Sequence, residues 1–448
     1  MEDEYIKIRK QKMENLKKAG VNPYAYKFDR THTSEEALKL KMGTKKVRLA
    51  GRLMLIRDMG RLTFAHVQDG LGKIQIALNE KELGKEKYKF FLKNFDIGDF
   101  IGVEGEIFKT KKGERTLNVK KYEILTKALR PLPEKWHGLK DTEERYRKRY
   151  LDLIFNKEAK EKFIIRDKVL KFLSGFLESK GFMGVETPIL HPIAGGALAK
   201  PFETEYGAYD TDVYLRIAPE LYLKRLLVGG FEKVYEMGKC FRNEGVDANH
   251  NPEFTILEFY WAYADYEDLM KLTEEMFNKM VREIFGRNHI SFQGKKIRFT
   301  KPFSRKTFSQ LTKGKMSDEA FKEAIKKIDQ PTFITDHPIE LKPLAKKNKD
   351  GKTAQSIQLI IGGLELINAY SELNDPMDQL DRFLEQDRQR KKGEEEAHEI
   401  DMDYVEALEY GMPPAAGWGL GVDRFIKLLT DSDTLREILL FPFMKPRD

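Results

Sequence analysis

Residues 241–254 read FRNEGVDANHNPEF, which sets an arginine, three carboxylates and a histidine among turn formers, between the apolar runs VYEMGKCF and TILEFYWAY. The flanks carry the β-branched and aromatic residues of strands and the middle carries Gly, Asn and Pro, so the stretch is expected to form a hairpin with a long polar tip. Residues two apart on a strand share a face. Gly238, Cys240, Arg242 and Glu244 then line one side of the incoming strand, and Phe254, Ile256, Glu258 and Tyr260 one side of the outgoing strand. If the strands pair, Arg242, Phe254, Glu258 and Tyr260 form one floor that could hold an anion, stack a ring and receive a cation. An exposed sheet with its polar face in water is equally open at this point.

Two further stretches could contribute to such a floor. In GWGLGVDRFIKLLT, Gly417, Gly419 and Gly421 alternate, so one face of that strand is bare and a ligand can lie against its backbone; Arg424 follows in the next helix. In LELINAYSELNDP, residues 364–376, Asn368, Tyr370 and Glu372 share a face, while Glu365 falls out of phase unless a bulge intervenes. Glu220 opens the helical run ELYLKRLLVGG. Acids beside apolar strands are costly unless a cation pairs with them, and a ligand ammonium would serve.

Other chemistries find no support. There is one cysteine, Cys240, so an internal disulfide and a thiolate zinc cluster are excluded. The eight histidines show no HExxH spacing, no GxxxxGK[ST] occurs, and GWGLGV is GxGxG rather than GxGxxG. The net charge of +8 suits a polyanionic partner but equally a lysine-rich soluble surface. No apolar run reaches the ~20 residues of a membrane span, and the N-terminus has neither a signal-peptide core nor a transit-peptide composition. A cytoplasmic protein without membrane attachment is expected.

These residues must be positioned by a chain of 448 residues, long enough for two or three domains. Residues 2–19 alternate charges at helical spacing and open an N-terminal helical extension, 1–44, expected to be largely solvated. From 45 to 128 five short glycine-punctuated strands suggest an OB-fold barrel, the small five-stranded barrel that binds nucleic acid. The proline-containing and then charged stretch 129–150 reads as a linker. Residues 151–448 mix helices with strands lacking βαβ alternation, so an α+β domain around an antiparallel sheet is expected.

FRNEGVDANHNPEFTILEFYWAYADY, GWGLGVDR and GFMGVETPIL with Pro188 resemble motifs two, three and one of class II aminoacyl-tRNA synthetases. RIAPELYLKRLLVGGFEKVYEMGKCFRNEG, NAYSELNDP, QPTFITDHPIELKPLAK and LTKALRPLPEKWHGL resemble the lysyl-tRNA synthetase subfamily, and the likeness runs from about 45 to 448. The resemblance implies a class II antiparallel-sheet catalytic domain behind an OB-fold anticodon-binding domain, acting on lysine, ATP and tRNA(Lys) with Mg2+. It implies that Arg242 holds the α-phosphate and the lysine carboxylate and that Arg424 grips the γ-phosphate. Phe254 would stack on adenine, with Glu244, His250, Glu365 and Gly421 on the nucleotide side. Gly196 and Glu220 would take the α-amino group, Asn368 the carboxylate, and Glu372 with Tyr260 the ε-ammonium, with Glu258 and Tyr370 completing the pocket. Phe64 would stack an anticodon base while Arg57, Gln75 and Glu114 contact bases.

The family usually reads ERFE where this chain reads QSIQ, residues 355–358. Its last glutamate is a magnesium ligand beside the one matching Glu365, and Gln358 is a neutral, weaker ligand for a hard cation. The stretch 299–330 is shorter than the family's, and GKMSDE, 314–319, imitates a class I signature without an upstream HxGH. Aspartyl and asparaginyl synthetases share the layout, although their pockets need cations or amide donors where this chain has Glu372. An RNA-binding chain without catalysis is the other alternative. Motif one implies a homodimer.

Overall fold

The computed structural model describes residues 4–133, 141–392 and 399–447, and it divides into two compact units, 1–140 and 141–448. Part of the expected linker, 134–140, lies outside the described residues.

In the first unit, five strands alternate buried and outward residues and close into a barrel: β1 (Val47–Asp58), β2 (Leu62–Gln68), β3 (Lys73–Asn79), β4 (Phe100–Lys109) and β5 (Arg115–Thr126). Closure runs through the parallel pair β3–β5 and leaves no free edge. Leu49, Val67, Ile76, Val103 and Leu117 fill the interior. The N-terminal helix α1 (Glu4–Lys18) is less solvated than its charge pattern suggests. Leu16 is fully buried in the barrel's core, and Arg9 is buried, donating to the carbonyls of Ile97, Ala128 and Arg130.

The second unit is built on an eight-stranded sheet. In chain order its strands are β6 (Met183–Gly184), β7 (Lys233–Phe241), β8 (Glu253–Ala262), β9 (Ser304–Thr307), β10 (Thr332–Thr335), β11 (Ser356–Ile361), β12 (Leu364–Ser371) and β13 (Ala415–Gly421). Across the sheet the order is β9-β10-β11-β12-β13-β8-β7-β6, antiparallel except for a parallel pair at each edge. The expected antiparallel α+β architecture is therefore present. One face is covered by α2 (Lys157–Ser179), α3 (Tyr266–Phe285) and α4 (Val422–Leu429). Their apolar stripes bury Leu257, Phe259, Leu359, Ile367 and Trp418 of the sheet, and the Trp418 indole N–H donates to Thr273 Oγ1 at 2.9 Å. With one face packed as core, the polar residues of the same strands are left on the other.

The buried ion cluster in the first unit gives a stability test. The Lys127 ammonium is fully buried and donates to Asn94 O, Asp96 Oδ2 and Asp99 Oδ2 at 2.6–2.8 Å. Burial already raises the Asp99 carboxyl, with Lys127 opposing that rise. Lys127→Met leaves the buried Asp99 without an ion pair, while Asp96 keeps Lys12, and is expected to cost ~3–5 kcal/mol, read as a fall in the melting temperature of the full chain. An acid whose folded pKa is raised loses stability as pH climbs above its unfolded value, so the deficit should be larger at pH 8 than at pH 5. Equal melting of variant and parent at both pH values would count against this.

Candidate active site

The three central strands place the sequence-derived residues in rows. Glu258, Gly419 and Asn368 lie side by side across β8, β13 and β12, and Tyr260, Gly417 and Tyr370 form the next row. The hairpin β7–β8 pairs Cys240 with Phe254 and Gly238 with Ile256, so the single floor inferred from alternation is present. The bare strand matters sterically: a Cβ on Gly417 would overlap the Glu372 carboxylate and the Tyr260 ring. Above these rows sits a cavity of about 390 Å3, lined among others by Gly196, Glu220, Arg242, Glu258, Asn368 and Arg424.

Glu365 reaches the same cavity by the bulge its phase demanded. Between the pairs Leu359↔Ile367 and Ile360↔Glu365 the register shifts by one residue, which turns Glu365 to the face of Asn368.

At one end of the cavity acids outnumber bases. Glu220, Glu258 and Glu372 are all buried, and a single ammonium, Lys224, serves them. Lys224 Nζ donates to Glu220 Oε1 at 2.6 Å and forms an ion pair with Glu372; Tyr370 Oη also donates to Glu220 Oε1 at 2.6 Å. Tyr260 Oη donates to Glu258 Oε2 at 3.2 Å. Desolvation first, then repulsion from Glu220, pushes Glu258 up to about 8. Desolvation also drives Glu372 well above the carboxylate range, against the pull of Lys224. Glu372 Oε1 has no hydrogen-bond partner among the described residues, and Oε2 is held by Lys224. Such a site favours a cation.

Lys224 sets what an apolar ligand would cost here. It already faces Glu372, and Glu372 stands behind the cavity wall beside Gly417. The penalty is then that of an unsatisfied carboxylate oxygen, ~1–3 kcal/mol, rather than that of a lone buried charge. Lys224 was overlooked although its i, i+4 spacing from Glu220 on the helix Glu220–Val228 announces the pair.

The other end is cationic. The Arg242 guanidinium lies 5.1 Å from the centre of the Phe254 ring, and its Nε is buried without a partner. Arg424 donates from Nε to Asn249 O and from a terminal nitrogen to His250 Nε2 at 2.7 Å. An arginine only donates, so His250 Nε2 accepts and its Nδ1 carries the proton to Asp247 Oδ2, 2.8 Å away. Glu244 and Gly421 line the same end. The Cys240 thiol, pushed up to about 12 by burial, is a poor nucleophile.

Gln358 and Glu365 do not fit a metal held between two carboxylates. Gln358 Nε2 donates to Glu365 Oε1 at 2.7 Å, while its Oε1 lies 2.8 Å from His337 Nε2 and His337 Nδ1 lies 3.0 Å from Ser356 Oγ. Burial holds His337 well below its ordinary value, so the ring is neutral and donates through Nε2. The amide is thus locked with its N–H toward Glu365. No group of three or more potential metal ligands occurs among the described residues. Nearby, the buried Lys342 Nζ donates to Asn368 Oδ1 at 2.6 Å. His337 and Lys342 were both missed: they lie between strands, where no periodicity marks a functional face.

On the barrel, Arg57 pairs with Phe64, Phe64 with Ala77 and His66 with Gln75, so Arg57, Phe64, His66 and Gln75 share an outward face. Phe64 is half-buried between the interior residues Thr63 and Ala65, not a core residue. Gln75 Nε2 donates to Thr116 Oγ1 at 2.8 Å, and Glu114 lies 3.6 Å from His66 Nε2. His66 is the residue of this face that the sequence reading did not name.

Comparison with known proteins agrees with both units. The family model "tRNA synthetases class II (D, K and N)" matches residues 141–445, and that of an OB-fold nucleic acid binding domain matches residues 47–125. A lysine–tRNA ligase of Carboxydothermus hydrogenoformans is 49% identical over 483 residues, covering 100% of this chain and 99% of that protein. Those of Thermotoga maritima and Lactococcus lactis are 46% and 45% identical, covering 99% of this chain and 96% and 99% of their own lengths.

The bare strand can be tested directly. Gly417→Ala forces a Cβ against Glu372 and Tyr260, an overpacking strain of ~1–3 kcal/mol. The variant is expected to keep adenosine binding while losing about tenfold or more in affinity for a diamino acid, both read by calorimetry. Unchanged diamino acid affinity would count against the placement.

Proposed function

The chain belongs to the class II tRNA synthetases of the D, K and N family, and on that premise we propose that its cavity joins lysine to AMP and hands the lysyl group to tRNA(Lys). Its function is that of a lysine–tRNA ligase, using ATP. The observation that carries the choice of lysine within the family is the set of three buried carboxylates served by one ammonium. An aspartate or asparagine side chain would meet like charge or an acceptor there; a diamino acid brings the missing cation.

In the first step a carboxylate oxygen of lysine attacks the α-phosphorus of ATP. The new P–O bond forms as the bond to the bridging oxygen breaks, and diphosphate leaves with the electron pair. No protein nucleophile is needed, so the chain's task is alignment and charge. Arg242, with its unpartnered Nε, is assigned to the α-phosphate and the lysine carboxylate, and Arg424, held by Asn249 and His250, to the γ-phosphate. Phe254 offers the ring on which adenine stacks, and Glu244, His250, Glu365 and Gly421 border the nucleotide. Gly196 and Glu220 take the α-amino group, Asn368 the carboxylate, Glu372 and Tyr260 the ε-ammonium, with Glu258 and Tyr370 closing the pocket. In the second step a hydroxyl of the terminal ribose of tRNA, the 3′-hydroxyl by family resemblance, attacks the lysyl carbonyl and AMP departs.

Mg2+ enters this reading with ATP, as the counter-ion of the substrate. The outward barrel face of Arg57, Phe64, Gln75 and Glu114 is assigned to the anticodon, with Phe64 stacking a base. The exposed Met183, Ile189 and Leu190, beside Pro188, support a homodimer built around motif one. In this reading the chain runs from an N-terminal extension, 1–44, through an anticodon-binding barrel, 45–128, and a linker, 129–150, into the catalytic domain, 151–448. A cytoplasmic site of action suits these substrates. No helix among the described residues is long and apolar enough to cross a membrane.

The test is amino-acid-dependent exchange of diphosphate into ATP. Exchange is expected with lysine and absent with aspartate or asparagine, and Glu372→Gln should lower kcat/KM for lysine by about tenfold to a hundredfold. No exchange with lysine at saturating magnesium, with tRNA binding intact, would leave an RNA-binding protein.

Glu258 adds a pH dependence. In the empty site it holds its proton up to about 8, and a cationic ligand favours the ionised form, so binding releases a proton below that pH. Lysine affinity should therefore rise from pH 6 to 8, by at most tenfold per unit, and level off above. Calorimetry in buffers of different ionisation enthalpy measures the released proton, and Glu258→Gln should flatten the slope. A flat profile in the parent protein would remove Glu258 from the pocket's titration.

A further inference from the structure

Lys342 is a cation without an anion. It lies in the segment 336–355 between β10 and β11, lines the cavity and is buried, and the one hydrogen bond of its ammonium among the described residues runs to the neutral Asn368 Oδ1. Among the described residues no carboxylate stands within ion-pair distance of it. Burying an ammonium is expensive unless an anion meets it, and Lys342 is packed against the wall that carries Glu365 and Asn368. At that wall the locked Gln358 amide stands where a second carboxylate would be needed to hold a divalent ion.

We propose that Lys342 is a further catalytic residue, a built-in positive charge that contacts the triphosphate of ATP and replaces the protein-held divalent ion for which Gln358 and Glu365 are unsuited. This rests on reading the cavity as the site where ATP meets lysine. A fixed ammonium and a bound cation do the same electrostatic work on a polyphosphate, neutralising oxygens that gain charge as diphosphate leaves. The Ser356–His337–Gln358–Glu365 chain fits this substitution. A neutral ring turns the amide N–H toward Glu365, so that carboxylate is satisfied without a metal. Lysine is also compact enough to leave the ATP-borne magnesium in place, so the inference concerns the ion on the protein's side only.

The full-length protein, Lys342→Met and the double variant Lys342→Ser with Gln358→Glu are compared in two measurements. The first is calorimetric binding of ATP, and of adenosine as a phosphate-free probe, in excess EDTA and in magnesium. The parent is expected to bind ATP in EDTA within about tenfold of its affinity in magnesium. Lys342→Met should lose tenfold or more in EDTA while binding adenosine unchanged. The second is lysine-dependent diphosphate exchange as free magnesium is raised above the ATP concentration. The parent should saturate early; Lys342→Met should stay slow, and the double variant should recover at high free magnesium with a steeper dependence.

Equal loss of ATP and adenosine binding would mark Lys342 as structural and overturn the proposal. So would an exchange rate in the parent that follows free magnesium as steeply as in the double variant, or a defect confined to lysine binding. If the parent shows the ATP–EDTA pattern but no exchange with lysine, the ligase reading falls while the phosphate role of Lys342 stands.

Discussion

Three buried carboxylates around one ammonium are the constraint on which the second unit turns. Taking Glu220, Glu258 and Glu372 out of water is unfavourable, and one lysine cannot satisfy them all. The sheet tolerates this because β13 contributes only backbone to the row, so carboxylates from its neighbours and from the chain after β12 come close without steric conflict. Tyr260 and Tyr370 each donate to one of them and fill the remaining space with ring carbon. The unsatisfied remainder makes a cation the natural occupant, and the opposite end of the same cavity, with Arg242 and Arg424, calls for an anion. A single cleft thus prefers a dipolar pair of substrates laid end to end, which is the arrangement an attack of carboxylate on phosphate requires.

Much of this was legible in the sequence because strands have a strict period. Alternation alone put Arg242, Phe254, Glu258 and Tyr260 on one floor, and the alternating glycines declared a bare strand; the paired registers bear both out. The out-of-phase Glu365 was itself information, since only a bulge could bring it in and a bulge is present. The five barrel strands followed from composition and punctuation in the same way. What could not be read were residues whose partners come from distant, aperiodic segments. His337 and Lys342 meet Gln358 and Asn368 only through tertiary packing. Lys224 was hidden differently: a lysine in an amphipathic helix ordinarily faces water, and only the fold shows that its side of the helix is the cavity wall. The docked face of α1 was also masked, because Arg9 looks like a surface charge until the three carbonyls it caps are assembled.

The two units divide the chemistry by the kind of surface each can offer. A closed barrel has an outward face of alternating side chains and no cleft, which suits stacking and edge contacts with unpaired bases. An open sheet with helices on one side leaves the other side free to be walled by loops, which suits enclosing small substrates away from water. Net positive charge then serves both, since each unit must meet phosphate.

The bulge between β11 and β12 makes this hairpin a counter. Because Leu366 is the extra residue, the strand keeps Ile367 in the core and still shows both Asn368 and Glu365 to the cavity. With regular pairing of the same residues Glu365 would share the face of Ile367 and point toward the helices; the one skipped partner is what brings its carboxylate to the cavity, and the core residues beyond it keep their register. The charge on this wall is therefore set by how the backbone pairs as well as by which side chains the strand carries.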